Sequence, residues 1–178
     1  MILSFILFSI SCSNDDNSKE STPTETEKTI NHKTFSKERI AFSDEFGQIS
    51  TKSFNLPEDV DKVKAIKMFL QLDCPSVGCN IWDMYANVQV KDKSTGEWYE
   101  IARYITPYGR PTTVLERGLE IDVTDFKSVL KGNTEIRAFI EVWGADGWLV
   151  SIDFDYVYGT PDFKYYEIAP ILQYNRNS

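Results

Sequence analysis

The chain has 178 residues, of which 42% are hydrophobic and 13% aromatic, enough apolar side chain for one folded domain with a core of its own. A formal net charge of −8 repels a phosphate backbone and excludes nucleic acid as an expected partner. The single histidine, His32, stands in a polar stretch with no cysteine beside it; this speaks against a zinc site or a Ser-His-Asp triad and reads as a solvated residue of a linker.

Residues 1–10 are almost wholly apolar. They are too few to span a bilayer, which takes roughly 20 residues as a helix, and they suit the apolar region of a secretory signal. Ser11 then precedes Cys12 in a Ser-Ile-Ser-Cys run that resembles a lipobox, with Cys12 as the lipidated residue and the signal occupying 1–11. Residues 13–29 hold Asn, Asp, Ser, Lys, Glu, Thr and Pro but no aromatic side chain. Such a stretch cannot bury enough apolar surface to offset its ordering entropy, so 12–32 reads as a disordered tether between a lipid anchor and a domain over 33–178. The expected location is the outer membrane or cell surface of a bacterium, with simple secretion as the alternative.

The periodicity of the remainder is that of strands. Residues 64–72 place Ile66, Met68, Leu70 and Leu72 on one face. Cys74 and Cys79 follow, five residues apart with Pro75 and Gly78 between them, residues that bend a chain; an even pair in an exported domain reads as a disulfide. Strands are expected over 85–90 and 98–105, joined by a polar hairpin turn at 91–96, and over 118–123, where Leu119, Ile121 and Val123 alternate with Glu120 and Asp122. Thr124 and Asp125 offer a helix N-cap, and Phe126, Val129 and Leu130 have helical spacing, so one short helix is expected over 126–131, ended by Gly132. Strands resume over 135–143, 147–158 and 163–174. The sum is an all-β protein, an antiparallel jelly-roll sandwich of about eight strands with one short helix.

Several segments then match a known pattern in order and spacing. Cys74-Pro75-Ser76-Val77-Gly78-Cys79-Asn80-Ile81-Trp82-Asp83, Tyr85-Ala86-Asn87-Val88, Thr95 to Ile101, Ile105-Thr106-Pro107-Tyr108, Arg117 to Ser128 and Val157 to Asp162 are together similar to the first domain of the peptide-N-glycosidase F family. The resemblance covers roughly 33–175. It implies one of two side-by-side jelly rolls, with an active site in the cleft between them and no metal or organic cofactor. It implies hydrolysis of the amide that links an asparagine side chain to the first N-acetylglucosamine of an N-glycan. The family's main catalytic carboxylate maps onto Asp83 beside Trp82, and a supporting glutamate maps onto Glu141, with Trp143 two residues on; Trp82 and Trp143 are the expected sugar-facing aromatics. The copper monooxygenases that share paired jelly rolls need clustered histidines, which this chain does not have.

Three departures bear on activity. Met84 stands where the family has a substrate-contacting arginine, Asn80 and Ile81 replace two acidic residues, and the chain is expected to lack the second domain. From these the chain is expected to be the first half of an N-glycoprotein amidase, inactive alone and completed by a second jelly roll in trans or by self-association. The alternative is a surface lipoprotein that binds glycans or glycoproteins without cleaving them.

Overall fold

The structure, a computed structural model, describes residues 27–112 and 115–169. The signal segment, Cys12 and most of the tether lie outside the described residues, as do 170–178.

Among the described residues nine strands carry the fold: β1 (Lys28–Lys33), β2 (Glu38–Ile40), β3 (Ile49–Asn55), β4 (Val63–Asp73), β5 (Tyr85–Lys91), β6 (Trp98–Ile105), β7 (Leu119–Asp122), β8 (Asn133–Ile140) and β9 (Trp148–Tyr158). One sheet runs β1-β9-β4-β7, with β2 also paired to β9; the other runs β3-β8-β5-β6, and every pairing is antiparallel. Between most successive strands the chain changes sheet, which gives the expected jelly-roll sandwich. Alternation decides which faces meet. Ile66, Met68, Leu70 and Leu72 of β4 and Trp148, Val150, Ile152, Phe154 and Tyr156 of β9 are buried. They pack against Ala86, Val88 and Val90 of β5 and Ile136, Ala138 and Ile140 of β8. Each fully buried large aliphatic side chain contributes about 1.5–3 kcal/mol.

Three expectations are corrected. The domain begins at Lys28, not at 33: β1 pairs with β9 along its length, and Asn31 Nδ2 donates to Asp155 Oδ1 at 2.8 Å. His32 is therefore no linker residue; it is half-buried, its ring edge-on to Tyr156 at 5.2 Å between centroids, and burial pushes its pKa down. The polar composition hid this strand because an edge strand is held by backbone bonds that side-chain type does not report. The helix over 126–131 shrinks to a single 3-10 turn, Thr124–Phe126, followed by turns. No side chain caps this turn; the Thr124 hydroxyl instead accepts from the Ile66 amide at 2.9 Å. Residues 163–169, expected to open a last strand, carry none. Tyr166 instead lies 4.1 Å from the Lys127 Nζ and edge-on to Phe163.

On the outer face of the β9-containing sheet, Arg117 donates to Asp155 at 2.6 Å and Asp153 at 2.7 Å and stacks 3.6 Å from the Phe69 ring centroid. The Arg117 hydrogen bond holds the Asp155 carboxyl below its usual range. A depressed carboxylate stabilises the fold above its unfolded pKa of about 3.9, and that contribution fades as pH falls through the lower folded-state value. Arg117→Leu is expected to cost about 1 kcal/mol at pH 7, a figure set by the partial exposure of the pair, and to flatten the loss of stability in acid. Urea unfolding at pH 7 and pH 3 checks both.

Candidate functional site

The site forms at the end of the β3-β8-β5-β6 sheet where β5 begins and β8 and β6 end. Ala86 faces Ile140 and Tyr85 faces Ile105 in register, so residues just before β5, just after β8 and just after β6 must converge. Asp83 lies two residues before β5. Glu141 follows β8, and its amide donates to the Tyr85 carbonyl at 2.9 Å, which extends the ladder one step and sets Glu141 beside the Asp83 loop. Trp82 precedes Asp83 and Trp143 lies two residues after Glu141; they are 59% and 57% exposed, and Trp143 meets Phe42 edge-on at 5.3 Å. Asp83 is itself exposed and Glu141 half-buried. All four residues proposed from the sequence thus stand at one end of one sheet.

The loop that carries Asp83 is tied on three sides. The Cys74–Cys79 disulfide closes its first turn, with Cα atoms 4.4 Å apart, and the Gly78 amide donates to the Pro75 carbonyl at 2.9 Å with Gly78 at a φ of 100° that favours glycine. Asn80, only 5% exposed, is the hub. Its Oδ1 accepts from the Trp82 amide at 3.0 Å, its Nδ2 donates to Asp146, its amide donates to the Gly147 carbonyl at 3.2 Å, and its carbonyl accepts from Gly109 at 3.1 Å. Asn80, expected to replace an acidic residue, is therefore a buried strut. Met84, the other departure, is half-buried and packs on the core.

Sequence reasoning passed over the segment after β6. Thr106 hydrogen-bonds both neighbours of Asp83. The Asp83 carboxylate acts on the Tyr108 phenol, and its hydrogen-bonding and negative charge hold the phenol's pKa above the ordinary value. Thr106 and Tyr108 stood inside a recognised motif, but nothing in their residue types said that they would face Asp83. Below the site, Tyr85 is braced by its hydroxyl on Glu100 at 3.0 Å and by Asn87 at 2.9 Å. Among the described residues no group of three or more His, Cys, Asp or Glu is placed to hold a metal ion.

Closing so short a loop removes about 2 kcal/mol of unfolded-state freedom on the chain-entropy scale. Replacing Cys74 and Cys79 together by serine is expected to lower unfolding stability by that amount, read by denaturant titration. A disulfide is at home in an oxidising compartment, in keeping with export.

No family model matches the chain. It is 55% identical over 152 residues to the peptide-N(4)-(N-acetyl-beta-D-glucosaminyl)asparagine amidase F of Elizabethkingia miricola, a match that takes in 85% of this chain and 43% of the relative. A crystal structure of a peptide-N(4)-(N-acetyl-beta-D-glucosaminyl)asparagine amidase superposes with a TM-score of 0.80 at 56% identity, covering 84% of this chain and 48% of that one. The same figures hold for PNGase F, described as a glycosylasparaginase, from Flavobacterium meningosepticum. PNGF-II shares the fold alone, with a TM-score of 0.59 at 18% identity. The chain spans about half the length of the curated relative it matches. The resemblance read from the motifs to the first domain of peptide-N-glycosidase F is borne out, and so is the jelly-roll fold.

Proposed function

We propose that this chain is the first-domain half of an amidase of the peptide-N-glycosidase F type, acting on N-linked glycoproteins, and that it turns over substrate only when a second jelly roll closes the cleft. Asp83 takes a proton from a water molecule as the water oxygen adds to the asparagine side-chain carbonyl carbon. The carbon–nitrogen bond then breaks, the proton passes to the departing nitrogen, and the products are an aspartate side chain and a glycosylamine. Glu141, beside it, holds the water, and a carboxylate pair in a partly dry cleft suits one member to base work. Trp82 and Trp143 offer apolar faces to the first sugar ring. What supports this reading is that Asp83 precedes β5 and Glu141 follows β8, neighbouring strands of one sheet, and that Trp82 and Trp143 near them in the chain are both exposed.

Lipidation at Cys12 would hold the domain at a membrane surface. The test is a gel-mobility shift of a denatured N-glycoprotein incubated with the purified full chain, alone and with a second-domain chain added. A shift that requires the added chain is expected. A shift from neither would overturn the catalytic reading.

A second reading is a glycan-binding surface without turnover. Three exposed aromatics at one sheet end, Trp82, Trp143 and the 64% exposed Tyr108, favour it. Glycoprotein binding that persists unchanged in Asp83→Asn, without cleavage, would establish it in place of the first.

A further inference from the structure

We infer that Thr106 is the positioning residue of this site, a buried hydroxyl that holds Asp83 by both of its neighbouring peptide units; the inference deepens the amidase reading and rests on it for its catalytic meaning. Thr106 is only 1% exposed. Its backbone amide donates to the Met84 carbonyl at 2.9 Å. In a regular antiparallel pair the Met84 amide would return the bond to the Thr106 carbonyl. Here it donates instead to Thr106 Oγ1 at 2.9 Å, and the same Oγ1 donates its hydrogen to the Trp82 carbonyl at 3.2 Å. One hydroxyl therefore ends the β5–β6 ladder and bridges the residue before Asp83 to the residue after it.

The chemistry of the hydroxyl makes this possible. It accepts and donates at once, whereas a valine of the same shape does neither and an alanine leaves a gap. Threonine is also stiff at χ1, so the bridging geometry is chosen before any substrate arrives. Two residues further on, Tyr108 meets the Asp83 carboxylate from the same segment, and Gly109 donates to the Asn80 carbonyl at 3.1 Å. Residues 106–109 thus hold the backbone on either side of Asp83 and touch its side chain. The fold offers a matched control: Thr124 Oγ1 accepts from the Ile66 amide at 2.9 Å, the same type of bond on a strand remote from Asp83.

The experiment uses the full chain in five variants: Thr106→Val, Thr106→Ser, Thr124→Val, Asp83→Asn and Tyr108→Phe. The first readout needs no activity. Tyr108 is titrated by tyrosinate absorbance, its share identified by difference from Tyr108→Phe. Asp83→Asn defines the position of the phenol without its anionic partner. Thr106→Val is expected to move the Tyr108 titration to that position, while Thr106→Ser and Thr124→Val keep it at the parent value. The second readout is the deglycosylation rate with the second-domain chain present. A misplacement on the scale of 1 Å predicts a fall in kcat of about 100-fold with KM little changed for Thr106→Val, and rescue by Thr106→Ser. The third readout, on the unmodified chain, is hydrogen exchange at the Met84 amide, expected to be slow. Fast exchange there, or a Tyr108 titration in Thr106→Val that stays at the parent value, overturns the inference. Absence of deglycosylation in the parent chain overturns the amidase reading instead, and leaves the titration and the exchange to decide the role of Thr106.

Discussion

Asp83→Asn is expected to abolish deglycosylation, by about 10²–10⁴-fold, the usual worth of a positioned general base. The amide keeps the size and most of the hydrogen-bonding shape of the carboxylate but cannot take the proton of the attacking water. Because Asp83 is exposed and its loop is held by Thr106, Asn80 and the disulfide, the fold should be indifferent to the change. Two measurements made together separate chemistry from structure. The gel shift should vanish, while the urea midpoint should stay within about 0.5 kcal/mol of the parent, as for a surface substitution. The Tyr108 phenol, relieved of its charged partner, should titrate lower, toward its ordinary value. A variant that keeps its gel shift would move the base elsewhere, with Glu141 next in line.

Gly147→Ala should have a large effect on stability. Gly147 sits at a φ of 53°, a left-handed conformation that costs a residue with a Cβ about 1–2 kcal/mol. The new Cβ would also press into the Ile40 carbonyl oxygen and come 2.8 Å from the Ala41 Cβ, both on the opposing chain, where backbone cannot give way cheaply. Strain and clash together predict a loss of about 3–5 kcal/mol, at the extreme of single substitutions. The effect is not confined to stability. The Gly147 carbonyl receives the Asn80 amide, and Trp148 beside it is fully buried. Movement here should loosen the Asn80 hub and with it the Asp83 loop. A thermal melt reads the first consequence, and faster exchange of the Trp82 amide, bound to Asn80 Oδ1, reads the second. An unfolding midpoint unchanged from the parent would show that the β8–β9 loop yields where the packing says it cannot.

Much of this molecule is legible in one dimension because strand burial is periodic. In β4 the alternation of Ile66, Met68, Leu70 and Leu72 is written residue by residue, and all four are buried. In β9 the same holds for Ile152, Phe154 and Tyr156, with Asp153 and Asp155 on the outer face where Arg117 meets them. The method fails where backbone bonding outweighs side-chain type. Strand β1 carries Lys, Thr, Asn and His, and only its partner β9 makes it a strand. Phe163 and Tyr165 alternate as strand residues do, yet no strand forms there and both are exposed.

The site divides along the same line. The sequence by itself determined the all-β class and the paired cysteines, because both are a matter of residue type and local spacing. Asp83, Glu141, Trp82 and Trp143 were singled out by the resemblance of the ordered motifs to the peptide-N-glycosidase F family. What only the tertiary structure decided is how Asp83 is held. Thr106 lies 23 positions along the chain from Asp83, Asn80 reaches Asp146 across a separation of 66, and Glu141 meets Tyr85 across two sheet neighbours. Hydrogen bonds between distant residues depend on register, and register is set by the packing of the whole sandwich, which no window of sequence contains.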